Sequence, residues 1–154
     1  MQFWLFKSEP DAFSIDDLAK RPKQTESWDG VRNYQARNFM RDEIKMGDKV
    51  FFYHSSCKEP AIVGIAEVVK ESHPDKTQFD KNSKYYDPKA TNEEPRWFLV
   101  DIKFEEKFEK QLSLKEMKAD KRYDEMPLVK KGSRLSIMPI PKKIATLILK
   151  DVKN

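Results

Sequence analysis

A chain of 154 residues has the length of one ordinary domain (roughly 100–200 residues), and its 30 Lys and Arg against 26 Asp and Glu leave it at +4, a balance that suits a polyanionic partner. Aromatic residues at 12% argue against a disordered chain, while charged residues at 36% give a folded domain a heavily charged skin. The single cysteine, Cys57, excludes an internal disulfide framework and a zinc cluster built on thiolates, and no apolar stretch approaches the ~20 residues that cross a bilayer. The expectation is one soluble, monomeric domain over residues 1–154, intracellular and, if bacterial, cytoplasmic, with no membrane association.

The apolar and aromatic run at residues 2–6 reads as a first strand, ended by the turn Ser8-Glu9-Pro10-Asp11. Ser14 then precedes Ile15-Asp16-Asp17-Leu18 in a capping-box arrangement that opens a short helix. A polar stretch at residues 21–27 leads to Trp28-Asp29-Gly30, after which Asn33 can cap a helix over residues 34–44 that stops at Gly47. Residues 49–54 and 61–69 are β-branched or aromatic and form a hairpin across a six-residue loop. Residues 70–95 are polar and longer than a typical connection, which marks a functional or mobile loop. Residues 96–108 alternate as a long strand, Ser113 caps a helix through Lys118, residues 135–140 form a last strand, and Pro141 opens a terminal helix with Ile144, Leu147 and Ile148 on one face. Strands interrupted by short helices, without regular alternation, predict an α+β fold with a curved or barrel-like mixed sheet.

Four segments combine aromatic rings with hydrogen-bonding groups at strand ends or helix starts: residues 4–10, 28–35, 52–57 and 134–139. Between residues 128 and 143 stand Lys130, Lys131, Arg134, Lys142 and Lys143 with no acid, either a solvated face or a phosphate rim, for which Lys130, Lys131 and Arg134 are the candidates. Only two histidines exist, and no carboxylate cluster has ligand spacing with them, so neither a metal nor a cofactor is called for.

The runs FWLFKSEPDAFSIDDL, WDGVRNYQARNFMRDEIKMGDKVFFYHS and RLSIMPI, in this order, resemble the EVE-domain family over nearly the whole chain. The resemblance implies a PUA-like fold and recognition of a modified cytosine such as 5-methylcytosine, with DNA a stronger expectation than RNA. Carried over by motif, it places Lys7, Ser8, Glu9 and Pro10 at the mouth of a base-binding pocket. Trp28, Val31, Arg32 and Asn33 come from the second motif, Tyr53, His54 and Ser55 from the strand end, and Ser136 and Pro139 from the third. Such a pocket suits an extruded base, whose ring stacks on an aromatic while polar groups read its edge.

Each candidate has a plainer alternative. Trp28 reads equally as a core aromatic abutting a turn, and Arg32 as a phosphate clamp, an aspartate partner or a surface charge. Tyr53 and His54 point to opposite faces if both stay in the strand. A His54–Cys57 thiolate pair and a hydrolase built on Lys7 and Glu9, of the kind the related ASCH fold hosts on modified cytidine, are the two catalytic readings. Neither has an identifiable activated nucleophile, so the residues read first as a binding module without catalytic groups, with an RNA-binding module and the hydrolase as alternatives.

Overall fold

The computed structural model describes residues 1–132 and 134–153. Its centre is a mixed sheet of β1 (Phe3–Ser8), β2 (Thr25–Ser27), β3 (Lys49–His54), β4 (Ala61–Pro74), β5 (Phe98–Ser113) and β6 (Ile137–Ile140). The strand order is β2-β5-β4-β3-β1-β6, with β1 and β3 parallel and every other pair antiparallel. The sheet is curved but not closed: β2 and β6 form its two edges.

Helices cover both faces, which is why the central strands are apolar almost without interruption rather than alternating. On the first face, Trp4, Phe6, Phe52 and Val68 pack with Ile15 and Leu18 of α1 (Ile15–Lys20) and Ala36 of α2 (Tyr34–Asn38). On the second face, Leu5, Phe51, Tyr53 and Ile65 pack with Met117 of α3 (Leu114–Lys118) and Ile144, Ala145 and Ile148 of α4 (Lys142–Asp151). Alternation along β1 and β3 thus sends consecutive residues to two separate cores.

The helix starts obey local chemistry. Ser14 and Asp17, and again Ser113 and Glu116, exchange side-chain and backbone hydrogen bonds as full capping boxes, and the Asn33 side chain accepts from the Ala36 N–H. The helix expected over residues 34–44 is shorter: α2 passes at Phe39 into a π-helical turn, Phe39–Glu43, that shifts the register before Ile44 leaves in an extended conformation. Buried Asp48 closes this segment by accepting from the N–H groups of Gln2 and Lys45 and from the Trp4 indole, at 2.9, 2.9 and 3.0 Å.

Strands β4 and β5 run well past their expected ends, to Pro74 and Ser113. Their pairing shifts register four times, and such bulges bend a ladder while letting it continue. Gly64 sits at one of these shifts, where a Cβ would lie 2.6 Å from the Glu106 carbonyl oxygen; only glycine allows the two backbones so close.

Candidate nucleic-acid interface

The three motifs meet at one end of the sheet. Parallel pairing sets Ser8 beside His54, and the Ser55 N–H donates to the Ser8 carbonyl at 2.9 Å. From the other side, the Lys7 N–H donates to the Ser136 carbonyl, also at 2.9 Å. Ser8, Ser55 and Ser136 therefore share one rim although 128 positions separate the first from the last. Beyond β1 the chain turns back: the Glu9 carbonyl accepts from the Ala12 and Phe13 N–H groups, and the Ser8 hydroxyl donates to the Phe13 carbonyl at 2.6 Å. Glu9 is exposed and Pro10 half-buried on this turn.

Beneath the rim on the first face lies an aromatic nest. Trp28 packs against Phe6, Phe13 and Phe52 with ring centroids 5.3, 6.0 and 5.5 Å apart, and only 8% of its surface is exposed. Its N–H donates to the Val100 carbonyl, continuing β2's pairing with β5. Trp28 is thus a core residue by packing, with half-buried Val31 against the same cluster. Asn33, exposed at the start of α2, spends its side-chain oxygen on the cap.

Arg32 is neither free nor at the rim. All five of its donor N–H positions find acceptors within the chain: the Tyr85 carbonyl twice, the Val31 carbonyl, Asp75 and the Thr77 hydroxyl, at 2.9–3.2 Å. Its guanidinium lies over the Tyr85 and Trp97 rings at 5.4 and 5.2 Å. Of the three readings the sequence left open, the structure has the aspartate partner, and no donor remains for a phosphate. Asp75, 1% exposed, also accepts from the Gly30 N–H and from Thr77. Burial pushes its carboxyl up, but the hydrogen bonds from Thr77, Gly30 and Arg32 outweigh this and hold it below the usual carboxylate value. Gly30, at φ +81°, permits the approach: a Cβ there would meet the Tyr85 ring at 2.6 Å.

Strand alternation splits the candidates that share a motif. His54 faces α1, where its Nε2 accepts from the Ile15 N–H at 3.1 Å; burial lowers its pKa, which agrees with a neutral imidazole acting as acceptor. Lys7 and Tyr53 face the other way, into a cleft of about 720 Å³ on the second face that Lys130 and Lys131 also line. Lys7 and Tyr53 are therefore on the opposite face of the sheet from Trp28 and Val31. Pro139 is carried away too, because β6 runs antiparallel to β1 from Ile137 beside Phe6 back to Ile140 beside Phe3, leaving Pro139 opposite Trp4. Arg134 is exposed beyond the cleft lining.

Of the two catalytic readings, the His54–Cys57 pair loses its geometry. The Cys57 sulfur contacts the His54 carbonyl at 3.8 Å, not the imidazole, which α1 engages. Lys7 lines the second-face cleft, whereas the Ser8 hydroxyl donates to the Phe13 carbonyl on the first face.

The sequence offered no sign of the Asp75, Gln78 and Asp87 anchors. The loop read as functional or mobile is tied down by them: the Gln78 side chain spans from the Asp75 and Trp97 carbonyls to the Arg96 and Trp97 N–H groups, and Asp87 accepts from the Trp97 indole at 2.8 Å. An Asp-x-Thr turn at residues 75–77 is the only local cue, and it does not name Arg32 as partner.

A curved mixed sheet with helices on both faces and its motif residues gathered at one strand end defines a PUA-like module. An ASCH protein from Zymomonas mobilis shares this fold at a TM-score of 0.55 and 8% identity, a likeness of architecture alone. Residues 2–151 match the model of the EVE domain, and the chain belongs to that family. Human thymocyte nuclear protein 1 is 50% identical over 125 residues, covering 75% of this chain and 55% of its own length, so the chain spans about half the length of the curated relatives it matches. The human THYN1 protein solved in complex with 5-methylcytosine-containing DNA superimposes with a TM-score of 0.93 at 41% identity, over 100% of this chain and 99% of that one. No helix among the described residues is long and apolar enough to cross a membrane.

Proposed function

We propose that the domain is a non-catalytic reader of modified cytosine in DNA. The observation that carries this reading is the end-to-end similarity to a protein solved on 5-methylcytosine-containing DNA. The local geometry supports it: the backbones of Ser8, Ser55 and Ser136 meet at one strand end, beside the Trp28–Phe6–Phe52 nest. An extruded base enters at this rim, its edge is read by polar groups of the strand ends, and its ring lies against the apolar wall that Trp28 and Val31 support.

Magnitudes set what such a site achieves. A methyl group in an apolar slot contributes about 1–3 kcal/mol, or roughly 10–200-fold, so the preference over unmodified cytosine is bounded by that range. Base identity comes from the edge, where each buried group left unpaired costs about 1–3 kcal/mol.

The test is a titration of matched duplexes with one central 5-methylcytosine or cytosine, beside an RNA of the same sequence. The methylated DNA should bind at least tenfold more tightly than the other two, and the recovered oligonucleotide should be chemically intact. Equal affinity for all three, or a converted base after incubation, would overturn the reading.

A further inference from the structure

The second face carries a feature the base site does not use. Four lysines, Lys7 from β1, Lys118 from the end of α3, and Lys130 and Lys131 from the segment before β6, converge on the cleft of about 720 Å³, with Tyr53 in its wall and Asp124 as the one acid. Among the described residues none of the four lysines has an ion-pair partner, although ten carboxylates of this chain are so engaged elsewhere. Lys7 is the informative member. It follows fully buried Leu5 and Phe6 on a central strand, and it is itself only partly exposed. Burial lowers its pKa with no opposing anion to raise it. A lysine held at such a position without an internal counter-charge is stabilised when an anion enters.

We propose that this cleft holds the phosphodiester flanking the captured nucleotide, with Lys7, Lys118, Lys130 and Lys131 supplying the charge and the Tyr53 hydroxyl a neutral donor. The proposal rests on the DNA-reader reading and deepens it. Lys7 and Ser8 are consecutive on one strand, as are Tyr53 and His54, and the two pairs lie side by side. The base rim and the phosphate cleft are therefore the two sides of the same strand ends, so a single strand of DNA bends around that end with its base on one side and its flanking phosphate on the other. Tyr53 fits the role of donor: burial, and after it the neighbouring Cys57, pushes its phenol up to about 12, so the proton stays on. Lys7 then contributes affinity, not discrimination, because phosphates carry no sequence information.

The test is a duplex carrying one central 5-methylcytosine and, in separate preparations, one neutral methylphosphonate at each linkage within three nucleotides of it. Wild-type protein, Lys7→Gln and Lys118→Gln are titrated across a range of salt. Lys7→Gln should weaken methylated and unmodified duplexes by the same factor, about tenfold, and lower the slope of log affinity against log salt by about 0.9. One methylphosphonate position should weaken the wild type yet leave Lys7→Gln unaffected. Lys118→Gln, an exposed change on α3, should show the same pattern to a smaller degree and so guards against a folding artefact. A changed ratio of methylated to unmodified binding in Lys7→Gln would assign Lys7 to the base and overturn the proposal, as would wild-type affinity and slope in both variants. A wild type without preference for methylated DNA sinks the reader reading instead, while the salt and methylphosphonate results on unmodified duplex still decide the cleft.

Discussion

On the first face of the sheet the candidate polar side chains are already committed: Ser8 to the Phe13 carbonyl, His54 to α1 and, away from the rim, Arg32 to Asp75, Thr77 and Tyr85. On the second face, to which the preceding residues Lys7 and Tyr53 of the same strands point, four lysines surround an open cleft with no ion-pair partner among the described residues. The first arrangement is rigid and neutral, as a surface must be to distinguish one base edge from another. The second is charged and adaptable, which raises affinity for any strand and discriminates little. Period-two alternation is what lets two short motifs supply both.

The comparison breaks hardest at Trp28. If the first face is a packed wall, Trp28→Ala empties a site ringed by Phe6, Phe13 and Phe52 and should cost about 3–5 kcal/mol of stability, with Trp28→Phe recovering part of it. Denaturant midpoints and DNA affinity measured on the same preparations separate the contributions. A Trp28→Ala protein of wild-type stability would show that the ring is not core.

Next in size is Asp75. Asp75→Asn places an amide nitrogen among the Gly30, Thr77 and Arg32 donors and removes the counter-charge of a mostly buried guanidinium, for about 2–4 kcal/mol. The carboxyl is held below its ordinary value, so its contribution is complete above the unfolded value near ~3.9 and is lost as the pH falls through the folded one. Urea midpoints measured from pH 6 downwards should therefore fall less steeply below about pH 4 in Asp75→Asn than in the wild type. Parallel profiles would remove Asp75 from the acid response.

Particular residues show what local pattern can and cannot carry. Strand β3 falls on the expected residues because its ends are marked by Gly47 before it and a polar loop after it. Both capping boxes are four-residue signals and are found as read. Strand β2 is invisible: Thr25-Glu26-Ser27 is polar and only half-buried, and what makes it a strand is backbone pairing with Asp101, Ile102 and Lys103, some 75 positions away. Arg32 is ambiguous for the same reason, since its partners lie 43–53 positions downstream. Tyr53 and His54 are separable by alternation alone, and the same rule applied to Lys7 and Ser8 sets those two on opposite faces.

A smaller effect tests the second face by itself. Replacing Lys130 and Lys131 by Gln, both exposed, should leave the denaturant midpoint unchanged and weaken methylated and unmodified DNA alike. If each meets one phosphate, the salt slope should fall by about 1.8, and a slope at the wild-type value would reduce the pair to a solvated surface.

The smallest effect is expected at Cys57, where the comparison between faces leaves no role for a thiol. Its sulfur makes one weak contact, with the His54 carbonyl at 3.8 Å inside the loop that joins β3 to β4, and the imidazole that would have to activate it accepts from the Ile15 N–H. Serine is nearly isosteric and can keep that contact as a donor, so Cys57→Ser should change stability by no more than about 0.5 kcal/mol. Affinity for methylated DNA should also be unchanged. The informative measurement is incubation of wild type and variant with a modified deoxycytidine or its oligonucleotide, followed by mass analysis of the base. Both should return the substrate intact. A conversion that the wild type performs and Cys57→Ser does not would place a nucleophile where the structure places only a loop residue, and the domain would then be an enzyme rather than a reader.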